Sequence, residues 1–182
     1  MEVAPGVALR ALLWTPQRPT APDVIFVPGW ISRLEGWLPV LDRMVRDRRV
    51  AYVESREKPT ARLPRRLSVD GFTVARMARD LATATEALGL DPGEAVAFGS
   101  SLGATAILEA LKDGAWPVRA AFAVGPNARF RIPRWALPLL HLPAGTYHLL
   151  KHAVVWYLAR FRVDAEREPE QMARYRATVL EA

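Results

Sequence analysis

The 182-residue chain contains no cysteine. A small secreted module stapled by disulfides is therefore excluded. No apolar run reaches the ~18 residues that a membrane-spanning helix needs. The nearest stretch, Trp135 to Phe161, is interrupted by Pro138, Pro143, Gly145 and Lys151. The opening residues Met1-Glu2-Val3-Ala4-Pro5-Gly6 have neither a basic segment nor an apolar one, so no signal peptide is read there and a cytoplasmic location is expected. Lysine is scarce, 3 residues against 22 arginines, and the net charge of +6 is spread along the chain. No predicted helix or ribbon concentrates that charge among aromatic side chains, which argues against a nucleic-acid partner. Internal repeats and low-complexity tracts are also missing. What is present, 51% hydrophobic and 24% charged residues, describes a globular protein long enough to bury a core and excludes disorder over the whole chain.

The apolar residues fall into an alternating pattern. Val7 to Trp14 reads as a strand with Met1–Val3 as a short partner, Asp23 to Val27 as a buried strand ended by Pro28-Gly29, and Val50 to Val53 as another. Between them Trp37, Val40, Leu41, Met44 and Val45 mark one face of a helix. A longer helix follows, capped by Ser68, striped by Val74, Met77, Ala78, Leu81, Ala84 and Leu88, and closed by Gly89. Ala95 to Phe98 is the next strand, Leu102 to Lys112 the next helix, and Ala120 to Val124 a further strand. This order predicts an α/β fold with a mostly parallel sheet flanked by helices over residues 1–127. Such sheets bind ligands beyond the carboxyl ends of their strands. Gly29, Ser55, Ser101 and Asn127 all follow a strand and are expected on that edge. Residues 128–182 contain no buried-strand run. They offer a Pro-bounded apolar segment (Trp135 to Leu142), a helix striped by Leu150, Ala153, Val154, Tyr157, Leu158 and Phe161, and a helix beginning at Pro169. This part is expected to be a helical cap laid over the strand edge.

One motif is sharp. Gly99-Ser100-Ser101-Leu102-Gly103 matches G-x-S-x-G, with a predicted strand running in and a predicted helix running out. A tight turn of this kind needs small residues on either side, and it pushes the Ser101 hydroxyl out of the sheet edge at a helix N-terminus, where negative charge is favoured. A nucleophilic serine also needs donors for the oxyanion it creates. The expected donors are the backbone N–H of Leu102 and that of Trp30, in the loop Pro28-Gly29-Trp30-Ile31-Ser32; Pro28 has no N–H, and Gly29 lets the chain turn. Gly29 and Asn127 are the candidates to meet a substrate on that edge, with turn chemistry after Gly125-Pro126 as the other reading of Asn127.

With these landmarks in this order, the chain resembles the α/β-hydrolase superfamily. Val27-Pro28-Gly29-Trp30 is similar to the family's oxyanion loop, Trp37 to a tryptophan of its first helix, Glu54-Ser55-Arg56-Glu57 to its Asp-X-Arg-Gly segment, and Gly99 to Gly103 to its nucleophile elbow. Asp80-Leu81 and Leu88-Gly89-Leu90 resemble the helix before that elbow. The resemblance implies hydrolysis of an ester-like bond in a small acyl substrate, through an acyl-enzyme on Ser101, with no cofactor and no metal. Acyl transfer, and a non-catalytic binding or interaction role, remain the alternatives.

Two departures stand out. Pro28 replaces the family's usual histidine, a change that leaves the backbone donor in place. In addition, the family's general base and its acid partner follow two further strands beyond the cap, and no such strands are read here. The histidines after Ser101 are His141, His148 and His152, all in the expected cap. His148 and His152 have metal-pair spacing, but Lys151 opposes a cation between them and a third ligand is lacking. Asp113 lies at the far end of its helix and Asp164 beyond the cap helix. Arg62, Arg65, Arg66, Arg129, Arg131 and Arg134 read as solvated, with an anionic acyl carrier as the functional alternative. The expectation is therefore an N-terminal piece of a serine hydrolase, lacking the last strands, with a second copy or a complementing C-terminal segment as partner. In the non-catalytic alternative the open sheet is covered by a second chain or by the apolar segment Trp135 to Phe161.

Overall fold

The computed structural model describes residues 1–30, 32–114, 116–127, 146–161, 164 and 166–180. The chain divides into two compact units, Met1–Ala128 and Arg129–Ala182. The first contains strands β1 (Glu2–Ala4), β2 (Val7–Ala8), β3 (Ala11–Trp14), β4 (Val24–Val27), β5 (Val50–Val53), β6 (Val96–Ser100) and β7 (Ala120–Val124). Its helices are α1 (Leu34–Met44), α2 (Val74–Ala87) and α3 (Leu102–Leu111). The second contains α4 (Tyr147–Phe161) and α5 (Pro169–Leu180).

Strands β3 to β7 form a five-stranded sheet in the order β3-β5-β4-β6-β7. Strands β5, β4, β6 and β7 run parallel, and β3 joins β5 antiparallel. The central strands β4 (Val-Ile-Phe-Val) and β5 (Val-Ala-Tyr-Val) are buried at every position. Helices cover both faces of a parallel sheet, so its inner strands read as unbroken apolar runs rather than as alternating ones. The pleat splits them between two cores. Ile25, Val27, Ala51 and Val53 pack with Met77 and Leu81 of α2 and Ile107 of α3. Val24, Phe26, Val50 and Tyr52 pack with Leu41 and Trp37 of α1. There Phe26 stacks on Phe98 at 4.7 Å and meets the edge of Trp37 at 5.0 Å. A side chain buried as fully as Phe26 contributes roughly 1.5–3 kcal/mol of transfer free energy.

The expected α/β class and the mostly parallel sheet are observed; three local expectations are corrected. The strand read over Val7 to Trp14 is two strands. Gly6 takes φ +69° and folds β1 back on β2, Ala8 bridges to Arg62, and the chain enters the main sheet only at Ala11. Ser68 does not cap the long helix. It precedes a short 3₁₀ turn, Val69–Phe72, and Thr73 is the cap, its hydroxyl accepting from the Arg76 N–H at 3.4 Å. On α4 the packed face is Val155 and Ala159, against Met172 and Val179 of α5, while Val154, Tyr157 and Phe161 of the expected stripe are exposed. Helix α4 is apolar on most sides, so periodicity does not select the face that α5 occupies.

Strand β7 ends the sheet. All five of its residues are exposed, including Phe122 at 61% and Val124 at 52%. Among the described residues, no helix is long and apolar enough to cross a membrane. The Trp135 to Leu142 segment lies outside the described residues.

Candidate functional site

The site is built where β6 turns into α3. Ser101 has φ +50° and ψ −114°, and it is the only non-glycine with positive φ among the described residues. An L-residue held there stores on the order of 1–3 kcal/mol, and such outliers gather where a side chain must be aimed. The glycines around it are steric requirements. A Cβ at Gly99 would stand 2.6 Å from Ala104 Cα and from Ile107 Cδ1. One at Gly103 would stand 2.5 Å from the Pro28 carbonyl oxygen. Backbone atoms cannot yield by that much, so only glycine lets α3 lie this close to β6 and to the end of β4.

The strained turn is held by its neighbours. The Ser101 N–H donates to the Val124 carbonyl at 2.8 Å, tying the elbow to the end of β7. The Ser101 carbonyl accepts the Thr105 N–H at 3.0 Å and its hydroxyl at 3.1 Å. The same Thr105 hydroxyl accepts the Asn127 N–H at 3.0 Å, so Asn127 is anchored to the first turn of α3. Its side-chain amide reaches the Ser101 Oγ at 3.5 Å and the Gly125 carbonyl at 3.4 Å. Leu102 is the first residue of α3; its N–H has no carbonyl four residues back within the helix and sits at the positive end of the helix dipole.

The loop after β4 closes against this turn. A Cβ at Gly29 would lie 3.2 Å from the Ser101 Cβ and 3.2 Å from the Ser100 carbonyl oxygen, so Gly29 and Ser101 are neighbours. The Ser32 N–H donates to the Gly29 carbonyl at 3.2 Å and closes a turn around Trp30, whose side chain is exposed. The residues expected on one edge are thus together. Gly29 and Asn127 flank Ser101, and Ser55 lines a small void with Leu102, Gly103 and Asp80 beneath the elbow. What they form is a hydroxyl raised at a helix N-terminus beside an irregular backbone loop, an arrangement that stabilises negative charge.

The loop after β5 supports the loop after β4 with buried charge. The Arg56 guanidinium holds Asp80 of α2 through two hydrogen bonds, at 2.5 and 2.7 Å, and donates to the Gly71 carbonyl at 2.9 Å. That pairing raises the Arg56 pKa further above its ordinary value. Glu54, also buried, accepts the Thr60 hydroxyl and lies 3.8 Å from Arg10. Lys58 is only 7% exposed, and its ammonium donates to the carbonyls of Gly29 (2.7 Å), Trp30 and Ser32 (2.7 Å). Burial pushes its pKa below the ordinary lysine range, and the carboxylates of Glu57 and Glu54 oppose that shift. Sequence reasoning passed over Lys58. The available signal was the rarity of lysine in an arginine-rich chain and its place two residues after Arg56.

The other candidates lie elsewhere. Asp113 follows the far end of α3, and Asp164 accepts the N–H groups of Glu166 and Arg167 in the turn before α5. His148 and His152 both belong to α4, while His141, Arg129, Arg131 and Arg134 fall outside the described residues. Among the described residues, no group of three or more His, Asp or Glu side chains is placed to hold a metal ion.

No family model matches the chain, and no curated protein matches it. Solved structures do. An enol-lactonase from Burkholderia xenovorans LB400 superposes with a TM-score of 0.73 at 21% identity, over 96% of this chain and 65% of its own. An esterase from Rhodococcus sp. ECU1013 gives a TM-score of 0.73 at 18% identity, over 97% of this chain and 66% of its own. An α/β-hydrolase from Sphaerobacter thermophilus DSM 20745 gives a TM-score of 0.60 at 22% identity, over 96% and 66%. The chain therefore has the α/β-hydrolase fold, and it spans slightly less than two thirds of the length of these structures.

Proposed function

We propose that the chain carries the nucleophile half of a serine hydrolase that acts on an ester-like bond of a small acyl substrate. The observation that carries the reading is the strained backbone of Ser101, at the turn from β6 into α3, with the Gly29–Ser32 loop against it. In this reading the Ser101 Oγ attacks the substrate carbonyl carbon, and the N–H groups of Leu102 and Trp30 receive the oxyanion. Collapse of the tetrahedral intermediate expels the alcohol or enol and leaves an acyl-serine, which water then cleaves. Gly29 allows the close approach, and the Asn127 amide, 3.5 Å from the Ser101 Oγ, is placed to hydrogen-bond the substrate or its leaving group. Ester and lactone chemistry is favoured because an enol-lactonase and an esterase share the fold.

The proton of Ser101 needs an acceptor. In the proposal the base and its acid partner belong to a complementing segment or second chain that extends the sheet at β7, where all five residues are exposed. Residues 128–182 then act as the cap, and the location is cytoplasmic. A fluorophosphonate probe tests the reading. The 182-residue chain should be labelled slowly and at Ser101 alone, as mapped by peptide mass, and Ser101→Ala should not be labelled. Absence of labelling, or labelling elsewhere, overturns the serine mechanism. Labelling as fast as that of a complete hydrolase overturns the external base while keeping the nucleophile.

A further inference from the structure

We propose that Lys58 is a positioning residue for the oxyanion-binding loop, its ammonium drawing the carbonyls of Gly29, Trp30 and Ser32 to one side so that the Trp30 N–H is aimed the opposite way. The proposal rests on the reading of Ser101 as nucleophile and adds to it the residue that sets the direction and strength of one oxyanion donor.

The geometry begins with the peptide plane. Among the described residues no peptide bond is cis, so the Gly29 carbonyl and the Trp30 N–H lie on opposite sides of one rigid unit. Fixing the oxygen fixes the hydrogen. The Gly29 oxygen is fixed twice, by the Lys58 Nζ at 2.7 Å and by the Ser32 N–H at 3.2 Å. The next carbonyl, of Trp30, also accepts from the Lys58 ammonium, and so does the Ser32 carbonyl, at 2.7 Å. Irregular backbone of this kind has no ladder to orient it, so a convergent donor must.

The residue type matters as much as its place. Three carbonyls converge on one atom, and an ammonium offers three tetrahedral N–H groups at one point. A guanidinium is a planar fork and cannot direct three hydrogens from a single nitrogen. In a chain with 22 arginines, the cation chosen here is one of 3 lysines. A buried charge without partners is costly, so the site is stable only with the carbonyls turned inward. The cation has a second effect. Attached to the Gly29 oxygen, it polarises that peptide and makes the Trp30 N–H a stronger donor, as hydrogen bonds in a chain reinforce one another in a medium of low polarity.

The absence of cysteine permits a test that changes one group only. Lys58→Cys is alkylated in the unfolded chain with 2-bromoethylamine or with 1-bromopropane and refolded. The two products have the same shape and differ in ammonium against methyl. The readouts are circular dichroism, the ¹⁵N-tryptophan amide spectrum, and kinact and KI for the fluorophosphonate at Ser101. The proposal expects both products to fold and the Trp30 amide to move between them. It also expects kinact to be at least about tenfold lower in the propyl form with KI unchanged, short of the 10²–10³ lost when a donor is removed outright. Equal kinact values, or an unmoved Trp30 amide, overturn it. A propyl form that fails to fold while the aminoethyl form folds also overturns it, because Lys58 then supports the fold at large. If both forms and the parent chain resist the probe, the nucleophile reading fails, and the Trp30 amide alone decides whether Lys58 orients the loop.

Discussion

In the proposed reading Ser101 is the place where stability and chemistry oppose each other, and two substitutions separate them. At φ +50° and ψ −114°, a side chain with a Cβ is strained whatever it carries beyond that atom. Ser101→Ala removes the hydroxyl and keeps the Cβ; Ser101→Gly removes both. Each loses the same long contact, 3.5 Å, with the Asn127 amide. The difference between them is therefore the strain of a Cβ in that region, on the order of 1–3 kcal/mol. It is reduced by the roughly 0.5–1 kcal/mol that glycine's freedom adds to the unfolded chain. Ser101→Gly should exceed Ser101→Ala in stability by about 0.5–2 kcal/mol, even though alanine is normally the more stable choice. Urea unfolding followed by circular dichroism and by tryptophan fluorescence measures this, provided the m-values agree. Both variants should be inert to the fluorophosphonate. A glycine variant equal to or weaker than the alanine variant refutes the argument, because the turn would then not be strained in solution.

Two further predictions follow from buried polar groups. Asp80→Asn leaves the Arg56 guanidinium buried beside a neutral partner, both side chains being at most 5% exposed, and should cost about 3–5 kcal/mol in urea unfolding. Arg56→Met should cost a similar amount, and the Arg56→Met/Asp80→Leu double variant much less than their sum; strict additivity would mean that the two charges do not depend on each other. Tyr52 is fully buried and its hydroxyl has no hydrogen-bond partner among the described residues, so Tyr52→Phe should raise stability by about 1 kcal/mol at pH 7. Burial first, and the Glu54 charge second, push the Tyr52 phenol above its ordinary value near 10. The unfolded chain then releases that proton first, and stability should fall as pH rises above about 10. Phenylalanine should remove that component of the alkaline loss, and identical alkaline curves for the two proteins would contradict the assignment.

Much of this molecule was legible in its residues because the signals were local. Val24 to Val27, ended by Pro28-Gly29, and Val50 to Val53 are short unbroken apolar runs, as strands covered on both faces use. Gly99 and Gly103 around Ser101, with a strand before and a helix after, describe a turn too tight for any other residue, and the contacts a Cβ would make there bear this out. The errors arose where neighbours decide. Val7 to Trp14 is one apolar run, yet Gly6 and the bridge from Ala8 to Arg62 divide it between two sheets. Helix α4 is apolar on most sides, and only α5 selects Val155 as its packed face.

The amino-acid sequence by itself determined the α/β alternation and the tight strand-to-helix turn at Ser101, because backbone conformation and burial follow from the order of small, apolar and breaking residues over a few turns. The tertiary structure alone decided that Asn127 stands at the Ser101 hydroxyl, that Asp80 neutralises Arg56 across 24 residues, and that Lys58 gathers the carbonyls of a loop 26 to 29 residues before it. Those partners are distant in the chain and share no period or motif. They meet because the parallel sheet brings the ends of its strands to one edge, and because charge buried there must find its complement.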